Sequence, residues 1–214
     1  YAGVPAVFIR LGGCNLACTF CDTDFEDYRE MSITTIVDMV QKLSLSDPHP
    51  TPLPVREREA AQSVAGEGGD NRICHLIVIT GGEPLRQNIA PLCEALLSAG
   101  FKIQIETNGT LYRPLPGGVE IVCSPKNTSG RYAPVREDLL ERVGAFKFIV
   151  AAGNRHYDHV AEVGQAKYGT PVYVQPMDEY DEAKNAGNLS LALRLATEHG
   201  YRLSLQLHKM LGIE

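Results

Sequence analysis

Short apolar runs of strand length recur along the chain at residues 4–9, 75–79, 101–106, 119–123, 146–150, 171–175 and 203–207. Between them lie segments whose apolar residues return at helical spacing: 34–45, 88–99 closed by Gly100, 136–143, 155–167, and 189–199 closed by Gly200. A glycine just past the last periodic residue is the expected helix stop. Strands that alternate with helices predict parallel strands joined by crossover helices, an α/β fold. Two of the strands, 101–106 and 203–207, alternate apolar and polar residues where a strand buried on both faces would read as a continuous apolar run. Their apolar faces pack under the helices and their polar faces line an interior. The pattern therefore predicts a partial, open (β/α) barrel around a ligand cavity, not a closed barrel filled by branched side chains.

Residues 46–72 break this rhythm. Pro48, Pro50, Pro52 and Pro54 are followed by Gly66, Gly68 and Gly69, with mixed charge and little apolar periodicity. The segment reads as a flexible surface insertion in a single domain spanning 1–214, with a functional lid as the sharper alternative. Composition adds exclusions. With 20 basic and 26 acidic residues the net charge is −6, which argues against broad electrostatic binding to nucleic acid. No run of apolar residues is long enough for a membrane helix, and residues 1–5 lack the charged and apolar parts of a signal peptide. The expectation is a cytoplasmic protein, in which six cysteines are ligands or core residues more readily than disulfides.

Three of those cysteines, Cys14, Cys18 and Cys21, fall within eight residues. Three thiolates can hold three irons of a four-iron cubane and leave the fourth open to a reactive ligand. Structural zinc is the competing reading, but it usually takes four ligands with a second pair downstream, and Cys74, Cys93 and Cys123 stand apart. Cys93 shares a helical face with Ile89, Leu92 and Leu96 and reads as core. Polar residues also gather just after successive strands, where catalytic groups collect in barrels of this kind. They are Arg10 and the cysteine loop, Thr80-Gly81-Gly82-Glu83-Pro84, Glu106-Thr107-Asn108-Gly109, Ser124-Pro125-Lys126, Gln175-Pro176-Met177-Asp178, and His208-Lys209. All would converge on one rim.

The C-x3-C-x2-C spacing with Phe20 before the third cysteine, followed by Gly81-Gly82-Glu83-Pro84, resembles the radical S-adenosylmethionine enzymes. Residues 5–11 leading into Gly13-Cys14-Asn15-Leu16, then Cys21-Asp22-Thr23, residues 80–86, residues 105–110 and Ser124-Pro125-Lys126 narrow that resemblance to the 7-carboxy-7-deazaguanine synthases. The resemblance implies a 4Fe-4S cluster on Cys14, Cys18 and Cys21, S-adenosyl-L-methionine on its open iron, and Mg2+ held by Thr23. It assigns cofactor contacts to Phe20, Asp22, Gly81, Gly82, Glu83, Ser124, Pro125, Lys126, Gln175, Pro176, Met177 and Asp178. Within this set, Gly81 and Gly82 would let backbone approach the methionyl amine, and Glu83 would accept a hydrogen bond from it. The implied substrate is 6-carboxy-5,6,7,8-tetrahydropterin, contacted by Arg10, whose planar fork suits a carboxylate, by Thr80, and by Glu214 at the C-terminal end. His208 is left undecided. The implied reaction is a radical ring contraction with loss of ammonia, fed by an electron donor such as a flavodoxin or ferredoxin and carried out by a homodimer. An activase that makes a glycyl radical on a protein partner is the alternative within the superfamily.

Overall fold

The computed structural model describes residues 3–18, 21, 26–45, 72–128, 130–207 and 209. Seven parallel strands form one open sheet in chain order: β1 (Ala6–Leu11), β2 (Leu76–Gly81), β3 (Lys102–Thr107), β4 (Val119–Cys123), β5 (Val143–Val150), β6 (Val172–Pro176) and β7 (Arg202–Leu203). Between them run α1 (Ile33–Leu45), α2 (Ala90–Ser98), α3 (Glu137–Leu140), α4 (Gln165–Tyr168) and α5 (Glu182–His199). This is the partial, open β/α barrel that the alternation predicts.

Successive side chains of each strand point to opposite faces of the sheet. Ile77 and Ile79 of β2, Ile103 and Ile105 of β3, Ile121 of β4 and Phe146 and Phe148 of β5 join one core with Leu92, Cys93 and Leu96 of α2. Fully burying one such side chain contributes roughly 1.5–3 kcal/mol, so this seam fixes which face looks inward. Cys93 is fully buried in the core, as its helical spacing predicts. On the other face of β3 stand Gln104 and Glu106. Lys147, placed between Phe146 and Phe148 on β5, donates from Nζ to Glu106 Oε2 at 2.8 Å.

Several elements depart from the sequence reading. The helix expected at 136–143 is cut to the single turn α3, because β5 already begins at Val143. The apolar spacing at 155–167 does not make a long helix. Side chains there bond to nearby backbone: Asn154 Oδ1 accepts from His156 N, and Glu162 Oε1 from Gly164 N and Ala166 N, which leaves one helical turn, α4. The strand expected at 203–207 stops at Leu203; Ser204 N still reaches the Val174 carbonyl, and the chain turns from Gln206 to Lys209. Conversely, α5 starts at Glu182, ahead of its apolar stripe. Asp181 caps it by accepting from Lys184 N at 3.0 Å, satisfying an otherwise orphaned donor.

The stretch read as an insertion lies, but for Arg72, outside the described residues, as do Phe20, Asp22, Thr23, His208 and Glu214. Its two ends are neighbours. Ile73 N and Cys74 N both donate to the Ser44 carbonyl at the end of α1, while Arg72 donates to the Ala99 carbonyl and lies over the Phe101 ring. No helix among the described residues is long and apolar enough to cross a membrane.

Candidate functional site

The carboxyl ends of β1, β2, β3 and β4 build one continuous structure around the cysteine loop. The loop leaves β1 at Leu11 and lies against the start of the β2 stop: Gly82 N donates to the Leu11 carbonyl and Glu83 N to the Gly13 carbonyl, each at 2.9 Å. A Cβ on Gly82 would come within 2.0 Å of the Gly13 carbonyl, and one on Gly81 within 2.3 Å of the Leu11 backbone. The glycine pair is therefore required first for the loop itself, whose backbone fills the space that side chains would take.

Glu83 is fully buried. Its Oε1 accepts from Leu85 N at 3.0 Å and from the Thr107 hydroxyl at 2.7 Å, and its Oε2 accepts from Asn108 N at 2.7 Å. Burial raises its carboxyl pKa above the ordinary carboxylate value, and the three donors pull it back only in part. One carboxylate thus joins the β2 stop to the β3 stop. From there a ring of side chains returns to the cysteine loop. Asn108 Nδ2 donates to Asn15 Oδ1 at 3.0 Å, Asn15 Nδ2 to the Thr110 hydroxyl at 2.8 Å, and that hydroxyl to Asn108 Oδ1 at 2.6 Å.

Within this frame Cys14 and Cys18 are half-buried and Cys21 is exposed, none of the three in a disulfide. Cys21 N donates to the Cys18 carbonyl, folding the second and third cysteines into one turn. Burial pushes the Cys18 thiol up; nearby Lys126 opposes this, and Cys21 and Cys14 push it further up, so the three sulfurs sense one another's charge. Among the described residues they do not close into a centre for a single ion. A cubane asks each thiolate to reach a different iron from neighbouring positions, which this loop offers. Beyond β4, Lys126 donates to the Ser124 hydroxyl at 2.7 Å, and burial, with Lys147 adding repulsion, depresses its pKa.

The remaining predicted residues are spread around the sheet. Arg10 is exposed at the end of β1, in register with half-buried Thr80 of β2. At the end of β6 Gln175 accepts from the Ser204 hydroxyl; beyond the strand Met177 is buried, and Asp178 accepts from Lys209 Nζ, Asn185 Nδ2 and Tyr180 N. Lys209 first, then the two other donors, hold the Asp178 carboxyl down at about 2. Surface grooves of about 580 and 470 Å³ lie elsewhere, the first lined by charges that pair among themselves, such as Arg136 with Asp138 and Lys167 with Glu137.

Comparison with known proteins decides among these possibilities. The pattern of the Radical SAM superfamily matches residues 8–124. A 7-carboxy-7-deazaguanine synthase from Rickettsia prowazekii (strain Madrid E) is 49% identical over 214 residues, spanning all of this chain and 82% of its own. The chain belongs to the 7-carboxy-7-deazaguanine synthase family of radical S-adenosylmethionine enzymes. The synthase of Escherichia coli (strain K12) is 32% identical over 221 residues, covering all of this chain and 92% of its own. A crystal structure of QueE from Escherichia coli superposes with a TM-score of 0.60 at 26% identity, over 95% of this chain and 86% of that one. Membership of this synthase family brings the cofactors of the superfamily, a 4Fe-4S cluster and S-adenosyl-L-methionine.

Sequence reading found the cysteines and the strand-end motifs but missed what ties them together: Asn15, Asn108 and Thr110 in the ring, Arg86 and Gln87 on the cysteine loop, and the Glu106–Lys147 pair. The pair had a signal. Glu106 ends the alternating run on β3, and Lys147 is a lone charge between two phenylalanines. In the ring, Asn108 and Thr110 are joined locally beside a motif already visible, whereas Asn15 meets them only through the fold.

Proposed function

We propose that this chain converts 6-carboxy-5,6,7,8-tetrahydropterin to 7-carboxy-7-deazaguanine with release of ammonia, as a cytoplasmic enzyme acting within one domain. The observation that carries the proposal is the cysteine loop held by Asn15, Gly82 and Glu83 against the ends of β2 and β3, in a chain whose relatives bear that enzyme name. Bound together, the cluster and S-adenosyl-L-methionine supply one-electron cleavage of a carbon-sulfur bond. The protein has to place that event and keep water from it.

In this reading Cys14, Cys18 and Cys21 hold the cluster. Phe20, Asp22, the backbone at Gly81 and Gly82, Glu83, Ser124, Pro125, Lys126 and the run Gln175, Pro176, Met177 and Asp178 surround S-adenosyl-L-methionine. Glu83 serves chiefly by fixing the β2 and β3 stops, since its oxygens already serve three internal donors. Arg10 and Thr80, side by side in register, address the substrate, with the guanidinium fork on its carboxylate. Glu214 adds a contact from the C-terminal end. Thr23 supports Mg2+, which usually keeps several waters and takes few protein ligands. A flavodoxin- or ferredoxin-type protein supplies the electron, and the enzyme works as a homodimer.

The test is anaerobic incubation of cluster-loaded protein with S-adenosyl-L-methionine, reductant and the carboxypterin, read by mass spectrometry. The expected product is the deazapurine, with ammonia. 5′-Deoxyadenosine without deazapurine would leave the superfamily assignment standing and remove the pterin one. Thr23→Ala is expected to flatten the magnesium titration of activity while leaving iron content unchanged; identical titration curves would remove Thr23 from the metal site.

A further inference from the structure

Arg86 ends the short 3-10 turn Pro84–Arg86 that follows the glycine pair and Glu83, and its Nη1 donates to the Cys14 carbonyl at 3.3 Å. A Cβ on Gly13 would meet the same Nη1 at 2.5 Å, so the guanidinium lies against the backbone between Gly13 and Cys14. Its neighbour Gln87 donates to the Gly12 carbonyl at 3.2 Å. Arg113 braces the turn from behind, with Nε on the Leu85 carbonyl at 3.0 Å and Nη2 on the Arg86 carbonyl at 3.2 Å. Both arginines are exposed, and among the described residues neither meets a carboxylate; the ion pairs lie elsewhere. In a chain of net charge −6, one uncompensated positive charge therefore lies against the first cysteine of the loop, with a second behind it on the turn.

We propose that Arg86 is a positioning residue that fixes the Cys14 peptide and, through its charge, makes the iron-sulfur cluster easier to reduce, with Arg113 in support. The proposal rests on the cluster reading above. The couple is one electron: the cluster gains it, an external one-electron carrier loses it, and no bond is made or broken. Each reduction adds negative charge to a centre already bound by three thiolates, and cluster potentials respond to net charge and to hydrogen bonding around the ligands. A fixed cation at Cys14 stabilises the reduced form more than the oxidised one.

The test is a redox titration of the reconstituted protein, followed by electron paramagnetic resonance at low ionic strength, where screening is weak. Arg86→Gln, matched to the parent in iron and sulfide content, is expected to move the midpoint negative by roughly tenfold in the reduced-to-oxidised ratio, about 59 mV for a one-electron couple. Arg86→Lys keeps the charge and is expected to move it much less. A Gln variant that titrates with the parent overturns the proposal. Should Arg86→Gln fail to retain the cluster, Arg113→Gln is read instead, since it leaves the Cys14 contact in place: a smaller negative shift supports the proposal, and an unchanged midpoint overturns it. Failure of the unsubstituted protein to take up a four-iron cluster would strike the cluster reading itself, a result distinct from either.

Discussion

At the ends of β2 and β3 a buried carboxylate joins two strands to each other, whereas after β6 the chain is held by amides of the helix that follows it. Glu83 gathers donors from Leu85, Thr107 and Asn108, residues up to 25 positions away, and through Asn108 reaches Asn15 in the cysteine loop. Asn188 of α5, equally buried, donates to the Met177 carbonyl and to Glu179, and accepts from Ala152 N. Asn185 donates to Asp178 and accepts from Glu179 N. The first arrangement couples stops that sequence separates. The second settles one loop on its own helix and on β5. A disturbance at Glu83 should therefore be felt at the cysteines, while one at Asn188 should stay local.

Four substitutions break or sharpen that contrast. Cys18→Ala is expected to have the largest effect, loss of essentially all bound iron after anaerobic reconstitution, because one corner of the cube loses its ligand; full iron content would take Cys18 out of the ligand set. Glu83→Ala should come next. It strands buried donors on Thr107 and Asn108 and is expected to cost about 3 kcal/mol in denaturant unfolding, with impaired cluster loading. A loss well below that, with normal loading, would mean the two stops are not coupled through this carboxylate. Asn188→Ala is expected to cost about 2 kcal/mol for its three lost bonds while leaving iron content at the parent level. Impaired loading in that variant would erase the distinction between the two regions.

Asp178→Asn should have the smallest effect, about 1 kcal/mol at neutral pH, since the Lys209 pair is only partly buried. Its pH dependence is the sharper readout. The folded-state carboxyl is held down from 3.8 to about 2, so its stabilisation is present above pH 4 and is lost as pH falls through 2. Parent and variant should converge over that interval. A gap that stays constant down to pH 2 would show that the Lys209 contact does not depend on the charge of Asp178.

The same contrast explains what the amino-acid pattern could reveal. Strand β4 has the predicted bounds, and β2, β3 and β6 are displaced by only a residue or two, because a short run rich in Ile and Val is a local signal. The glycine pair and Glu83 were visible as a motif, yet their main task was not, since Leu11, Gly13, Thr107 and Asn108 meet them only once the sheet is assembled. The first turns of α5 were hidden for a related reason. Residues 182–188 carry no large apolar side chain and include Gly187, and they become helical through the Asp181 cap and the bonds of Asn185 and Asn188 to the β6 stop. At 155–167 the opposite error arose, as Val160 and Val163 mimic a helical stripe while Asn154 and Glu162 satisfy the backbone differently.

The Ser44 carbonyl, which receives both Ile73 N and Cys74 N, has a practical consequence for anyone re-engineering this scaffold. With Arg72 anchored on Ala99 and Phe101, the end of α1 and the approach to β2 are held together, among the described residues, by their own contacts. A redesign that keeps the Ser44 and Ala99 carbonyl contacts keeps this seam, which makes it the place to begin.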